Sequence, residues 1–260
     1  MSRHRRIRIH FLHRLVGDAT RLLTLLIIIL PALFLPAAVP QAAASSATDL
    51  QTIHQFQTNQ PVIALTFDAG SDRGYAANIL DTLANKGVKA SFGMTGTWAS
   101  RNADLVQRIV REGHQLLNHT YDHKSFTGTS THTPPLTAAQ RADQLKRTAD
   151  LIRSQTGVEI KPYFRPPYGD YDNSVLADLA ANGYRYNVLW TVDSLGWKRA
   201  PVTEITKRVL DGAAPGAIIL MHVGEQSQDG PALPGIIDQL RTRGYRFATP
   251  RDFVSGAVIR

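Results

Sequence analysis

The chain has 260 residues, 43% hydrophobic and 19% charged, enough for one large domain or two small ones around an ordinary core. It contains no cysteine, which excludes disulfides, thiolate catalysis, cysteine-held metals and a lipidated N-terminal Cys, and leaves His, Asp, Glu and water as metal ligands. The net charge of +8 is uneven: residues 1–44 hold six Arg and one Asp, so the remainder carries 23 basic against 20 acidic residues, with no basic run that would argue for nucleic acid.

Residues 1–21 are Arg-rich, Leu22–Val39 are almost wholly apolar, and PQAAASSAT follows. Basic, then apolar, then small is the layout of a secretory signal, and a cut after Ala44 fits the A-x-A pattern of Ala42 and Ala44. The apolar run is also near the shortest span of a membrane helix, although Pro31 and Pro36 argue against a long one. Residues 1–44 are therefore expected to be a signal peptide or an N-terminal membrane anchor, with residues 45–60 a linker and residues 61–253 a single domain. Either reading leaves the Arg-rich flank inside and the domain secreted or membrane-anchored on the extracytoplasmic side.

From Pro61, apolar strands alternate with helical spacing. PVIALTF (61–67) reads as a buried strand, and Tyr75–Lys86 as a helix with Ile79, Leu80 and Leu83 on one face, closed by Gly87. The strand Val88–Gly93 is followed by a helix at Ala103–Glu112 and by HQLLN (114–118). A long helix near Thr137–Gln155 leads to PYF (162–164), and a helix at Asn173–Asn182 to YRYNVLWTV (184–192). Helices near Val202–Leu210 and Pro234–Arg243 flank GAIILM (216–221), and YRFAT (245–249) closes the pattern. Strands alternating with helices imply parallel pairing with helical crossovers. About seven repeats in some 200 residues predict an α/β fold, a closed or nearly closed (β/α) barrel, with an open doubly wound sheet as the alternative. Thr127–Pro135 is a polar loop, either bordering a substrate groove or simply solvated.

In such barrels the chemistry gathers at the C-terminal ends of the strands. Five apolar strands are followed by an ionisable residue: Asp68, His119, Arg165, Asp193 and His222. One Asp at a strand end is a common turn former; a base, an acid and ligand-type residues at one mouth are a site. His119 and His123 form H-x-x-x-H, which on a helical turn would put both imidazoles on one face, within reach of one ion. His114, at a strand start, reads as structural.

These residues resemble the polysaccharide deacetylase family, the NodB-homology domain of carbohydrate esterase family 4, over roughly residues 60–250. The pattern T-F-D-D-G appears as Thr66-Phe67-Asp68-Ala69-Gly70, and H-[ST]-x-x-H as His119-Thr120-Tyr121-Asp122-His123. R-x-P-[YF]-G appears as Arg165-Pro166-Pro167-Tyr168-Gly169, D-x-x-D-W as Asp193-Ser194-Leu195-Gly196-Trp197, and L-x-x-H as Ile219-Leu220-Met221-His222. The resemblance implies a distorted (β/α) barrel, NodB-like. It implies removal of acetyl groups from N-acetylated amino sugars of a polysaccharide, peptidoglycan by default and chitin-like oligomers next. It also implies a divalent metal, zinc (Zn2+) in character, on His119 and His123. Asp68 would be the general base, His222 the general acid, and Arg165 the partner that orients Asp68; Asp193 is placed with these catalytic residues. Pro166, Tyr168 and Trp197 would lie on the substrate side, with a backbone N–H near Tyr168 facing the oxyanion and Trp197 walling the acetyl pocket.

Two positions depart from the pattern. Ala69 stands where the family has a metal-binding Asp, as in some peptidoglycan deacetylases; water, Asp72 or Asp68 itself would then complete the shell. Gly196 stands where the family has the second Asp of its fourth motif, which loosens the expected support of the catalytic His. Two rival readings use the same residues: a deacylase of O-acetyl esters or small N-acyl compounds, and a non-catalytic glycan-binding pseudoenzyme.

Overall fold

The computed structural model describes residues 50–257; the expected signal or anchor at 1–44 lies outside them. The elements in chain order are β1 (Gln51–Ile53), β2 (Val62–Ala69), α1 (Ala76–Asn85), β3 (Ser91–Met94), α2 (Gly96–Arg101), α3 (Ala103–Arg111) and β4 (Gln115–Asn118). Then come α4 (Ala138–Thr156), β5 (Tyr163–Phe164), α5 (Asn173–Ala181), β6 (Tyr186–Val188), β7 (Val192–Asp193), α6 (Val202–Gly212), β8 (Ile218–His222), α7 (Asp229–Thr242), β9 (Arg246–Phe247) and α8 (Pro250–Val254).

The strands pair in parallel along the path β1-β6-β5-β4-β3-β2-β8-β7, and β9 pairs with β2 beside it. The two ends of the path approach each other. Gln55, just past β1, bridges to Ala217, just before β8, and β6 runs into β7 across three residues. Over those residues the chain changes neighbours: Leu189 N–H donates to Ile53 O and Thr191 N–H to Ile218 O. The result is the distorted barrel that the alternating pattern predicts.

Among the described residues nine strands replace the expected seven. β1 lies inside the segment read as a linker; three residues with a single buried side chain, Ile53, carry no detectable period. YRYNVLWTV splits into β6 and β7 at the change of neighbours. Two helices also escape the sequence pattern. α2 (GTWASR) is six residues long and depends on its cap, Thr95 Oγ1 accepting from Trp98 N–H. α8 is held by the reciprocal Thr249–Asp252 capping box. α7 starts five residues before Pro234, which sits inside the helix rather than at its start. α4 is legible at both ends: Thr137 and Gln140 make a capping box, and Gly157 closes it at φ 73°, where a Cβ would be strained.

Strand alternation divides the core into two layers. On β2, Ile63, Leu65 and Phe67 pack with the helix residues Ile79, Leu80, Leu83, Ile236 and Ile237. Ala64 packs instead inside the barrel with Leu117, Tyr163, Val188 and Ile218. Each large side chain removed from water contributes roughly 1.5–3 kcal/mol. The inward rows are therefore 64-66-68 on β2, 115-117 running on to 119 from β4, 163 running on to 165 from β5, and 218-220-222 on β8.

His114 belongs to this core. Its Nδ1 accepts from Ala90 N–H at 3.2 Å, its ring meets Phe92 edge-on, and its Nε2 faces Glu112 Oε2 at 3.7 Å. Burial pushes its pKa down from 6.5 to about 4. Between those values the unfolded chain holds the proton and the folded chain does not, so stability is lost as pH falls from 6.5 toward 4. The loss is at most about 3 kcal/mol. Thermal melts at pH 7 and pH 4.5 should differ less in a His114→Gln variant than in the natural chain; an equal difference removes His114 as the cause.

Candidate active site

Asp68, His119, Arg165 and His222 reach one mouth because each ends an inward row. Across the ladder Asp68 is registered with His222 on β8 and with Gly93 on β3. Gly93 has to be glycine: a Cβ there would stand 2.4 Å from Asp68 Oδ1.

Arg165 is fully buried and every arm of its fork is used. Nη1 donates to Asp68 Oδ1 at 3.0 Å, Nε to Val188 O at 3.0 Å and Nη2 to Leu189 O at 3.2 Å. The carboxylate is thus aimed by a guanidinium that is itself fixed by the backbone where β6 ends. Burial alone would raise the Asp68 carboxyl. His119, Arg165 and His222 together outweigh it and hold the group below its ordinary value, in the proton-accepting form.

His119 is buried, and its Nδ1 lies 2.8 Å from Arg165 O. A carbonyl only accepts, so Nδ1 carries the proton and Nε2 presents its lone pair. Nε2 faces Asp68 Oδ2 at 3.5 Å. The two His rings meet edge-on with centroids 4.9 Å apart. Burial lowers the pKa of both imidazoles, that of His123 to about 4, which keeps them neutral and ligand-competent at neutral pH.

The expected helical turn between the two histidines is not there. Residues 119–123 form an irregular loop, with Thr120 at φ 66° and His123 at φ 63°. Side chains build it: Asn118 Oδ1 accepts from Thr120 N–H, Gln144 Oε1 from Tyr121 and Asp122 N–H, and Thr120 Oγ1 from His123 N–H. Spacing of four brings the rings together by a different route. Among the described residues all six non-glycine residues at positive φ (Thr120, His123, His132, Tyr168, Leu195 and Arg199) lie in the loops after β4, β5 and β7. Such strain persists where the surroundings over-determine it, and it gathers at functional sites.

Two large aromatic side chains stand half in solvent, Tyr168 at 50% and Trp197 at 51%. Tyr168 packs its ring edge-on against His123 at 4.8 Å. Asp193 holds Trp197: Oδ2 accepts from the indole Nε1 at 3.1 Å and Oδ1 from Leu195 N–H at 2.9 Å. Each carboxylate oxygen accepts one hydrogen bond, and through them Asp193 positions the Trp197 indole. Pro166 is buried and shapes the turn before Tyr168. The polar loop after Thr127 is pinned beside that turn, Ser125 and Ser130 both donating to Asp170, so it borders the mouth.

Asp72 does not replace the missing metal-binding Asp. Its Oδ1 accepts from Glu225 N–H at 2.9 Å, fastening the loop after β8. Among the described residues no group of three His, Cys, Asp or Glu is arranged to hold a metal ion. The donors present, two neutral imidazoles with a carboxylate oxygen facing one of them, fit an ion whose remaining positions are filled by water. Sequence reasoning missed Asp229, which lies beneath His222; seven residues further along the chain, in a different element, it has no motif spacing to announce it.

A barrel whose inward rows end on an aspartate clamped by an arginine and on two histidines, with His123 beside one of them, defines a carbohydrate-esterase type of site. The profile of the polysaccharide deacetylase family matches residues 56–187, and the chain belongs to that family. It is 34% identical over 194 residues to a peptidoglycan-N-acetylglucosamine deacetylase of Bacillus cereus, covering 74% of this chain and 67% of that one. The structure of PdaA, a family 4 carbohydrate esterase of Bacillus subtilis, superposes with a TM-score of 0.72 at 29% identity, over 80% of this chain and 86% of that one. A family 4 pseudoenzyme from Bacillus anthracis superposes with a TM-score of 0.70 at 27% identity, over 78% of this chain and 68% of that one. The chain spans 59% of a Bacillus subtilis relative and 41% of a Listeria monocytogenes one.

Proposed function

We propose that the protein is an exported, metal-dependent polysaccharide N-deacetylase that removes acetyl groups from N-acetylated amino sugars of peptidoglycan, with chitin-like oligomers the next substrate. The observation that carries this reading is the convergence of Asp68, His119, Arg165 and His222 at the ends of four inward rows. Relatives named as peptidoglycan deacetylases support the choice of polymer. The Arg-rich and apolar layout of residues 1–44 supports export.

An amide resists water because its nitrogen donates into the carbonyl. Asp68 Oδ2 takes a proton from the attacking water as its oxygen bonds to the acetyl carbon. Arg165 keeps the carboxylate aimed through Oδ1. As the C–N bond breaks, His222 gives a proton to the sugar nitrogen, so that amine and acetate leave. The backbone N–H near Tyr168 faces the oxyanion, a contribution of roughly 3–4 kcal/mol for one such donor. Tyr168 and Trp197 offer flat faces to the sugar and its acetyl methyl. His119 and His123 would hold a divalent ion such as Zn2+, which supplies Lewis-acid polarisation of the acetyl carbonyl.

Acetate release from peptidoglycan and from chitin oligomers, measured with chelator and with Zn2+ add-back, tests this. Release should stop with chelator and return with metal. A folded, metal-loaded sample that releases no acetate from either polymer overturns the reading. Ala69 favours one rival, a glycan-binding pseudoenzyme; that protein would purify without stoichiometric metal and bind glycan equally well in chelator.

A further inference from the structure

His222 ends the inward row of β8, and its backbone N–H donates to Asp229 Oδ2 at 2.8 Å. That carboxylate arrives from another element, since Asp229 is the fully buried first residue of α7. The same Oδ2 accepts from Ser227 Oγ at 2.7 Å and lies 3.7 Å from the ring nitrogen His222 Nδ1. His222 Nδ1 and Asp229 Oδ1 are both buried without a hydrogen-bond partner. Buried polar atoms are nearly always paired. Here the unpaired ring nitrogen stands 3.7 Å from Asp229 Oδ2, and a shift of under an ångström closes Nδ1–H···Oδ2.

Position 196 explains how the carboxylate comes to be there. A Cβ on Gly196 would lie 2.4 Å from Ser227 Oγ and 2.5 Å from Asp229 Oδ2. The Asp229 carboxylate therefore fills the space that a side chain at 196 would need. The departure from D-x-x-D-W at Gly196 and the acid at Asp229 are two halves of one arrangement.

We propose that Asp229 is the positioning residue of His222: from α7 it holds the ring in the Nδ1–H tautomer and turns Nε2 to the mouth, in the space that Gly196 leaves open. A neutral imidazole has one protonated nitrogen, and the partner of that nitrogen decides which one it is. With one proton kept on Nδ1 by Asp229, Nε2 is the nitrogen that faces the reaction; the acid form is the imidazolium, in which Nε2 carries the second proton, and giving it to the leaving amine returns the ring to the Nδ1–H tautomer. The kinetic consequence rests on the deacetylase reading; the tautomer does not.

The test reads both. In 15N-labelled full-length protein, with His222 assigned by its loss in His222→Gln, the ring is expected to be protonated at Nδ1. Asp229→Ala should shift it toward Nε2–H and lower kcat about 10²-fold or more with KM within about twofold, as loss of tautomer control does. Gly196→Asp alone should also lose activity, because its side chain meets the Asp229 carboxylate. Gly196→Asp in the Asp229→Ala background should regain the Nδ1–H tautomer and about a tenth or more of the natural kcat, which a role confined to starting α7 does not predict. If Asp229→Ala melts before assay, Asp229→Asn preserves the shape and removes the charge. An unchanged tautomer together with kcat within about threefold of the natural protein overturns the proposal. If the natural protein releases no acetate, the deacetylase reading has failed and the tautomer alone decides this one.

Discussion

Asp68→Asn should lower kcat for acetate release by about 10³-fold, within the range for losing a general base, while the chain still folds. The substitution is close to isosteric. Oδ1 can still accept from Arg165 Nη1, and Arg165 keeps its bonds to Val188 O and Leu189 O. What disappears is the ability of the second atom, facing His119 Nε2 at 3.5 Å, to accept a proton. His119, Arg165 and His222 hold the Asp68 carboxyl below its ordinary value of 3.8 against the pull of burial. The base is accordingly in its accepting form throughout the neutral range, and an acidic loss of rate at pH 5–6 belongs to another group. Acetate release and a melting curve on the same sample separate chemistry from folding. A variant that keeps more than about a tenth of the natural rate removes Asp68 from the role of base.

The parts of the fold legible in the sequence are those where one face is buried and the period is long enough to see. β2 is wholly buried and bounded by Pro61, and α4 carries both its capping box and Gly157. β1, α2 and α8 are too short for any period, and their stability comes from neighbours and caps that composition does not reveal. The split between β6 and β7 is a tertiary event: the chain leaves one partner strand and joins another, and no local residue announces it.

The site was legible for the same reason as the strands. Asp68, His119, Arg165 and His222 follow apolar runs, and period-two alternation turns each of them inward. His119 and His123 do approach one another, yet through a loop folded by Asn118 and Gln144 rather than through a helical turn. Asp193 and Pro166 sit at motif positions and are engaged locally, one with the Trp197 indole and the Leu195 amide, the other in a buried turn. Asp229 was invisible because it acts from α7 on a residue of β8, and only the clash at Gly196 connects the two.

Arg165→Met should be the most damaging single change to stability. The side chain keeps its length and loses every donor. Asp68 would then be left as a buried carboxylate without its cation, and Val188 O and Leu189 O without their guanidinium partner. Removing one member of a buried pair costs about 3–5 kcal/mol, and an unsatisfied buried carbonyl roughly 1–3 kcal/mol more, less whatever water can reach. At roughly 2–4 °C per kcal/mol for a domain of this size, the midpoint should fall by about 10 °C or more. The double variant Asp68→Asn/Arg165→Met separates the contributions. If the stranded charge dominates, neutralising it recovers a good part of the lost midpoint although two native residues are gone. If the orphaned carbonyls and the lost shape dominate, the double variant melts no higher than Arg165→Met alone. A single variant that melts within about 3 °C of the natural protein would mean that Arg165 serves only to aim the base, and its effect should then appear entirely in kcat.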